Sequence, residues 1–222
     1  MNKENINMDK KIPIEISARH IHLSKQDFEE LFGADYKLNV LKQLSQPGEF
    51  AAEETLTIKL GQKIIENVRI IGPLRKETQI EILQSDARIL GINPPVRVSG
   101  DLENTPGLTI ASPKKEITIN RGVIISRRHL HCNLKEAEKL GLKNGMIASV
   151  KTNSSRPVTF HDIIVRVSER DGFCLHIDIE EGNCAGIKEI GEGIISEIIE
   201  ESGILELENE NKFREVEQNE KN

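Results

Sequence analysis

Short apolar runs that alternate with polar residues recur along this chain and set its expected architecture. Ile12-Pro13-Ile14-Glu15-Ile16-Ser17 alternates with period two, as a strand with one buried face does. Ser24, with Asp27 three residues on, predicts a helix start. The helix then runs from Lys25 to Phe32 and stops at Gly33. Gln46-Pro47-Gly48-Glu49 reads as a turn, and Thr55 to Leu60, Ile64 to Ile71 and Thr78 to Leu83 read as strands. In the second half, Val123-Ile124-Ile125-Ser126 is a strand, Asn133 with Glu136 starts a helix, and Gly141 ends it. Further strands are expected over Met146 to Lys151, after the Asn144-Gly145 turn, and over Val158 to Val167 and Gly172 to Ile179, joined by Arg170-Asp171-Gly172. Ile194 to Ile204 has the spacing of an amphipathic helix, and Glu206 to Asn222 is too polar to pack.

The two halves are versions of one module. Arg19-His20-Ile21-His22 returns as Arg128-His129-Leu130-His131, 109 residues later, and these four histidines are most of the six in the chain. At an offset of 95, Arg75 falls on Arg170, Glu81 on His176, and Gly91-Ile92 on Gly186-Ile187. The change of offset puts about 14 extra residues in the first half, expected near Gln46 to Glu53. A unit of many short strands and one short helix suggests a small β-barrel, present twice.

Composition narrows this picture. With no Trp, one Tyr and six Phe, the cores must be aliphatic. No run approaches a membrane span, and the N-terminus has no apolar signal core, so a soluble cytoplasmic protein is expected. Cys132, Cys174 and Cys184 lack zinc-ribbon spacing and read as free thiols in a reducing compartment. From Ile190 onward ten Glu face two Lys and one Arg, a balance of −7, so residues 1–189 sum to only +1. A nearly neutral body with few aromatic residues offers no nucleic-acid surface.

The repeated residues are metal donors. In an extended segment, residues two apart face the same side, so His20 with His22, and His129 with His131, can each present two imidazoles to one point. Zinc at a catalytic site takes three protein ligands and an open position, and the offset supplies the third in each half, Glu81 and His176. Exposed polar His-X-His pairs are the plain alternative. Arg75, in Gly72-Pro73-Leu74-Arg75, is either a fork for phosphate or carboxylate beside the Glu81 ion or a surface residue on a hairpin. Arg19, Arg127 and Arg128 are ambiguous in the same way. His161 reads as exposed, and Cys132 points away from His131. No Walker-type loop or dinucleotide fingerprint occurs.

These elements together resemble the PduL family of phosphotransacylases, or phosphate propanoyltransferases. The resemblance rests on Ser17-Ala18-Arg19-His20-Ile21-His22-Leu23, Gly72 to Arg75 with Gln79-Ile80-Glu81-Ile82, Asp86 to Ile92, Pro95 to Gly100, and Arg128 to His131 with His176 and Asn183, and covers about residues 12 to 190. It implies a mainly β fold with short helices: two similar barrels from a duplication, with two zinc ions near their junction. One ion would be held by His20, His22 and Glu81, the other by His129, His131 and His176. It also implies that the N-terminal strand joins the second barrel. The domains would then be 19–126 and 12–18 plus 127–195, flanked by a leader over 1–11 and a tail over 196–222.

The implied reaction converts an acyl-CoA, propanoyl or acetyl, and inorganic phosphate to acyl phosphate and CoA. Arg75 would bind phosphate, while Pro95, Arg97, Ser99 and Asn183 would contact substrate. The resemblance further implies coupling to an acyl kinase and leaves a homo-oligomer open. The polar leader lacks the apolar face of an encapsulation extension, which favours the cytoplasm over a microcompartment lumen. A zinc-dependent thioesterase or phosphoesterase, and a non-catalytic metal-stabilised assembly protein, remain as alternatives.

Overall fold

A computed structural model describes residues 10–169 and 172–199. In chain order, β1 (Lys11–Ser17) and β2 (His20–His22) lead into helix α1 (Lys25–Phe32), β3 (Val40–Gln43), β4 (Phe50–Leu60) and β5 (Lys63–Gly72). Next come β6 (Gln79–Glu81), α2 (Gln84–Leu90), β7 (Val96–Arg97) and a hairpin of β8 (Thr109–Ala111) and β9 (Glu116–Thr118). The second half contains β10 (Val123–Ser126), β11 (His129–Cys132), α3 (Leu134–Leu140), β12 (Ile147–Thr152), β13 (Thr159–Val167), β14 (Cys174–Asp178), α4 (Ile179–Ala185) and β15 (Ile190–Ile199). The fold is mainly β with short helices. Among the described residues no helix is long and apolar enough to cross a membrane.

The strands form a closed six-stranded barrel, in the order β1-β14-β11-β13-β12-β15, and a nine-stranded sheet. Alternation explains the barrel. Ile12, Ile14, Leu130, Leu175 and Val165 are fully buried inside it, so the residues between them along each strand face outward. The second sheet has the order β7-β10-β6-β2-β5-β4-β8-β9, with β3 beside β4, around a separate aliphatic cluster. Its run β10-β6-β2-β5-β4 has the same order as β1-β14-β11-β13-β12 in the barrel. The sheet also curls back on itself, because Val123 N–H donates to Pro106 O at 3.0 Å, joining β10 to the segment entering β8.

Two strands are exchanged between the halves. β1 precedes the first histidine pair but lies parallel to β14, with Glu15 opposite His176. β10 precedes the second pair but lies parallel to β6, with Ile124 opposite Glu81. Each histidine pair therefore follows a strand that belongs to the other sheet, and the two crossings draw both pairs to one junction.

Both anticipated helices form with the caps read from sequence: Ser24 and Asn133 accept from the N–H groups of Asp27 and Glu136, and Gly33 and Gly141 follow the last turns. Three expectations need correction. Each half has two helices rather than one, because α2 and α4, seven residues each, follow the third-ligand strands. The shared Gly91-Ile92 and Gly186-Ile187 mark their ends, with both glycines in the left-handed region at φ 72° and 68°. The expected helix over 194–204 is instead strand β15 as far as Ile199. The open edges of β1 and β12 both pair with it, and that tertiary pairing overrides its ambiguous periodicity. The first-half insertion begins ahead of the expected stretch, with β3, and continues through the Gln46 turn within it. The leader through residue 9, residues 170 and 171 of the Arg170 turn, and the tail from residue 200 lie outside the described residues.

Candidate metal centre

Cross-strand register builds the two donor sets in the same way. His20 pairs with Glu81 and Ile21 with Ile80 on β2 and β6. His129 pairs with His176 and Leu130 with Leu175 on β11 and β14. The aliphatic residue between each pair of histidines is fully buried, which fixes the imidazoles on the opposite face. The ligand atoms within each set, His20-His22-Glu81 and His129-His131-His176, lie within 4.8 Å of one another. The three rings of the second set have centroids 4.7 to 5.2 Å apart. All six residues line one cavity of about 420 Å³, together with Arg75 and Ser99.

The site's hydrogen bonds leave nitrogen lone pairs directed inward. His20 Nδ1 donates to Ala18 O at 2.8 Å, His22 Nδ1 to Ile71 O at 3.2 Å, and His129 Nδ1 to Arg127 O at 2.9 Å. With Nδ1 so engaged, Nε2 is the nitrogen that the neutral ring leaves unprotonated, as a metal ligand requires. Burial and the neighbouring His20 and Arg75 hold His22 well below its ordinary pKa. Burial and His176 push His129 down to about 3. Burial opposes charge on Glu81, but His20, with Nε2 3.6 Å from Oε2, overrides it and keeps the carboxylate ionised. Burial likewise opposes charge on His20, yet the Glu81 carboxylate raises its pKa. At neutral pH the three-histidine set thus includes a buried neutral imidazole, and in the other set an ionised carboxylate faces the His20 ring. Nitrogen and carboxylate donors converging in a partly enclosed cavity fit a zinc-like ion with a position left for substrate. His176 Nε2, buried and without a hydrogen-bond partner, fits the same use.

The remaining candidate residues divide by position. Arg75 is half-buried, with Nη1 donating to Ser99 Oγ at 2.9 Å and Nη2 to Glu49 at 3.1 Å. Its backbone N–H donates to Leu23 O, just past the first histidine pair. Arg19 donates to buried Asp86 at 2.7 Å, and Arg128 donates to Glu181, the residue at the 95 offset from Asp86. Each of these carboxylates also accepts a backbone N–H at the start of its helix, so both arginines pin a histidine segment to α2 or α4. Arg127 pairs with Asp162. Of the four substrate-contact candidates, Ser99 lines the cavity. Pro95 and Arg97 sit beside β10, accepting through their carbonyls from Ile125 and Arg127, and Asn183 is exposed on α4. His161 is exposed, with Nδ1 2.8 Å from Ser149 Oγ, and none of Cys132, Cys174 and Cys184 forms a disulfide among the described residues.

Two residues that sequence reasoning passed over belong to the site. Gln79, 1% exposed, donates to Glu81 Oε1 at 2.6 Å and to Ser99 Oγ at 2.8 Å, and accepts from Gly100 N–H at 2.7 Å. It links one donor set to the hydroxyl that holds Arg75. Glu15 stands 3.5 Å from His176 Nε2, and the proximity of that ring, helped by the Ser45 hydroxyl and outweighing the opposing effect of burial, lowers its pKa to about 2.

Known proteins place this site in a family. A family model described as phosphate propanoyltransferase matches residues 13–188. The chain belongs to the phosphate propanoyltransferase family. It is 47% identical over 174 residues to a phosphate propanoyltransferase of Alkaliphilus metalliredigens, an alignment covering 78% of this chain and 82% of the relative. A phosphate propanoyltransferase of Thermotoga maritima is also 47% identical, over 78% of this chain and 83% of its own length, and one of Enterococcus faecalis is 42% identical over 82% and 86%. As a member of the phosphate propanoyltransferase family, the chain is an acyltransferase. The matched region includes both donor sets, Arg75 and the exchanged strand β10.

Proposed function

We propose that this chain moves a propanoyl or acetyl group reversibly between coenzyme A and inorganic phosphate, with Arg75 binding phosphate between two zinc sites. The observation that carries this reading is the single cavity lined by both donor sets and Arg75. His20, His22 and Glu81 would hold one ion, and His129, His131 and His176 the other. Bound zinc would supply Lewis acidity and affinity for a thiolate leaving group.

Arg75 does the positioning. Two of its N–H groups are held by Ser99 and Glu49, which leaves the rest of a planar fork for phosphate oxygens. Phosphate oxygen attacks the thioester carbonyl carbon, a C–O bond forms, the C–S bond breaks, and CoA leaves as thiolate. A fixed guanidinium offsets repulsion between the phosphate dianion and the electron-rich carbonyl and holds the nucleophile in line. The walls of the cavity around the site limit water as a competing nucleophile.

On this reading the lobe of residues 19–126 and the lobe of 12–18 with the segment after 127 each contribute one ion. The enzyme works in the cytoplasm, and its acyl phosphate is passed to an acyl kinase. CoA release from propanoyl-CoA and acetyl-CoA, with and without phosphate, tests the proposal. Turnover that needs phosphate and yields acyl phosphate supports it, whereas equal turnover without phosphate would make the protein a thioesterase.

A further inference from the structure

The outward face of the barrel carries more donors than the three histidines. Glu15, His176 and His129 share one rung across β1, β14 and β11, since Glu15 pairs with His176 and His176 with His129. Cys174 lies two residues before His176, on the same face of β14, with His131 as its cross-strand partner. The Glu15 carboxylate, the Cys174 sulfur and a His176 nitrogen all come within 4.8 Å of one another. Cys174 is 4% exposed, and His176 Nε2 is buried without a hydrogen-bond partner, 3.5 Å from Glu15 Oε2. Ser45 donates its hydroxyl to the same carboxylate oxygen and holds it in place.

From this arrangement we infer a further ion position, made by Glu15, Cys174 and His176, that adjoins the three-histidine set and takes a thiophilic divalent cation. One thiolate, one imidazole and one carboxylate form a borderline-soft set, suited to zinc, cobalt(II) or cadmium and unsuited to magnesium or calcium. Binding releases the thiol proton to solvent. Both sets draw on His176, so filling this position weakens the hold of the three histidines. Excess thiophilic metal therefore acts against the site that the first equivalents fill.

Cobalt(II) titration of the metal-free full-length chain, followed by absorption, reads this position separately from activity. A thiolate ligand gives a strong sulfur-to-cobalt charge-transfer band, which imidazole and carboxylate ligands do not. A Cys184→Ser background removes the exposed thiol. In that background the band is expected at saturating cobalt. Cys174→Ser is expected to abolish it, and Glu15→Gln to raise the cobalt concentration at half-saturation of the band by about tenfold or more. Cys174→Ala repeats the test if the serine variant fails to fold. A background protein that binds cobalt without this band, or a band that survives loss of Cys174, overturns the inference while leaving the three-histidine set and the proposed reaction standing.

Discussion

Gln79→Leu isolates the link between Glu81 and Arg75. The substitution keeps the approximate volume of a side chain that is 1% exposed and removes its three hydrogen bonds. The bond to the ionised Glu81 contributes about 1.5–3 kcal/mol, and those to Ser99 and Gly100 about 1 kcal/mol each. Recovered desolvation of the amide offsets part of this, so the metal-free protein should lose about 2–3 kcal/mol, read as a lower urea midpoint. The functional effect is sharper. Glu81 Oε1 loses the donor that orients it, and loss of such an outer partner weakens metal binding about 10–100-fold. Competition with a chelating zinc indicator should show one ion weakened by that factor and the other, which the proposal assigns to His129, His131 and His176, unchanged. Equal weakening of both ions, or of neither in a folded variant, would refute the assignment of Gln79 to the Glu81 set.

Other perturbations have equally defined outcomes. Arg19→Ala leaves Asp86, 1% exposed, without its cation. The expected loss is about 2–3 kcal/mol in a urea titration, below the roughly 3–5 kcal/mol of a fully enclosed pair because Arg19 is 37% exposed. Gly72→Ala would put a methyl group 2.3 Å from the Phe50 ring, next to the turn that carries Arg75. A loss of about 1–3 kcal/mol is expected, and Phe50→Leu in the same chain should restore part of it. His129 has a folded pKa near 3 against an ordinary 6.5, so the unfolded chain binds the extra proton between those values. The metal-free protein should lose stability as pH falls through this window, and His129→Gln should flatten that dependence in urea midpoints compared across pH. Because two aliphatic clusters form separately from the donor sets, a chelator should abolish turnover while circular dichroism keeps the signature of the fold.

What could be read from the sequence was local. Ser24, Gly33, Asn133 and Gly141 announce their helices because capping is decided within four residues. The 95-residue offset locates Glu81 and His176 because a duplication preserves register. Helices α2 and α4 escaped notice because seven residues show too little periodicity, although Asp178 with Glu181 forms a capping box that could have marked α4. The exchange of β1 and β10 had no local signal, since nothing within Ile12 to Ser17 states which half that strand will join. Glu15 and Gln79 looked like the polar face of ordinary strands, and only cross-strand pairing brings them to the site. β15 shows the reverse case, in which a helix-compatible run is drawn into a barrel by two unpaired edges.

A double-mutant cycle on phosphate-dependent CoA release tests most directly whether both donor sets and Arg75 act as one centre. His22→Ala, His129→Ala and the double variant would be compared in folded, zinc-supplemented protein. Two sets serving one reaction predict that each single variant loses nearly all turnover and that the double variant loses no more than the worse single. Losses that multiply, or a His22→Ala protein that retains full phosphate-dependent turnover, would contradict a shared centre.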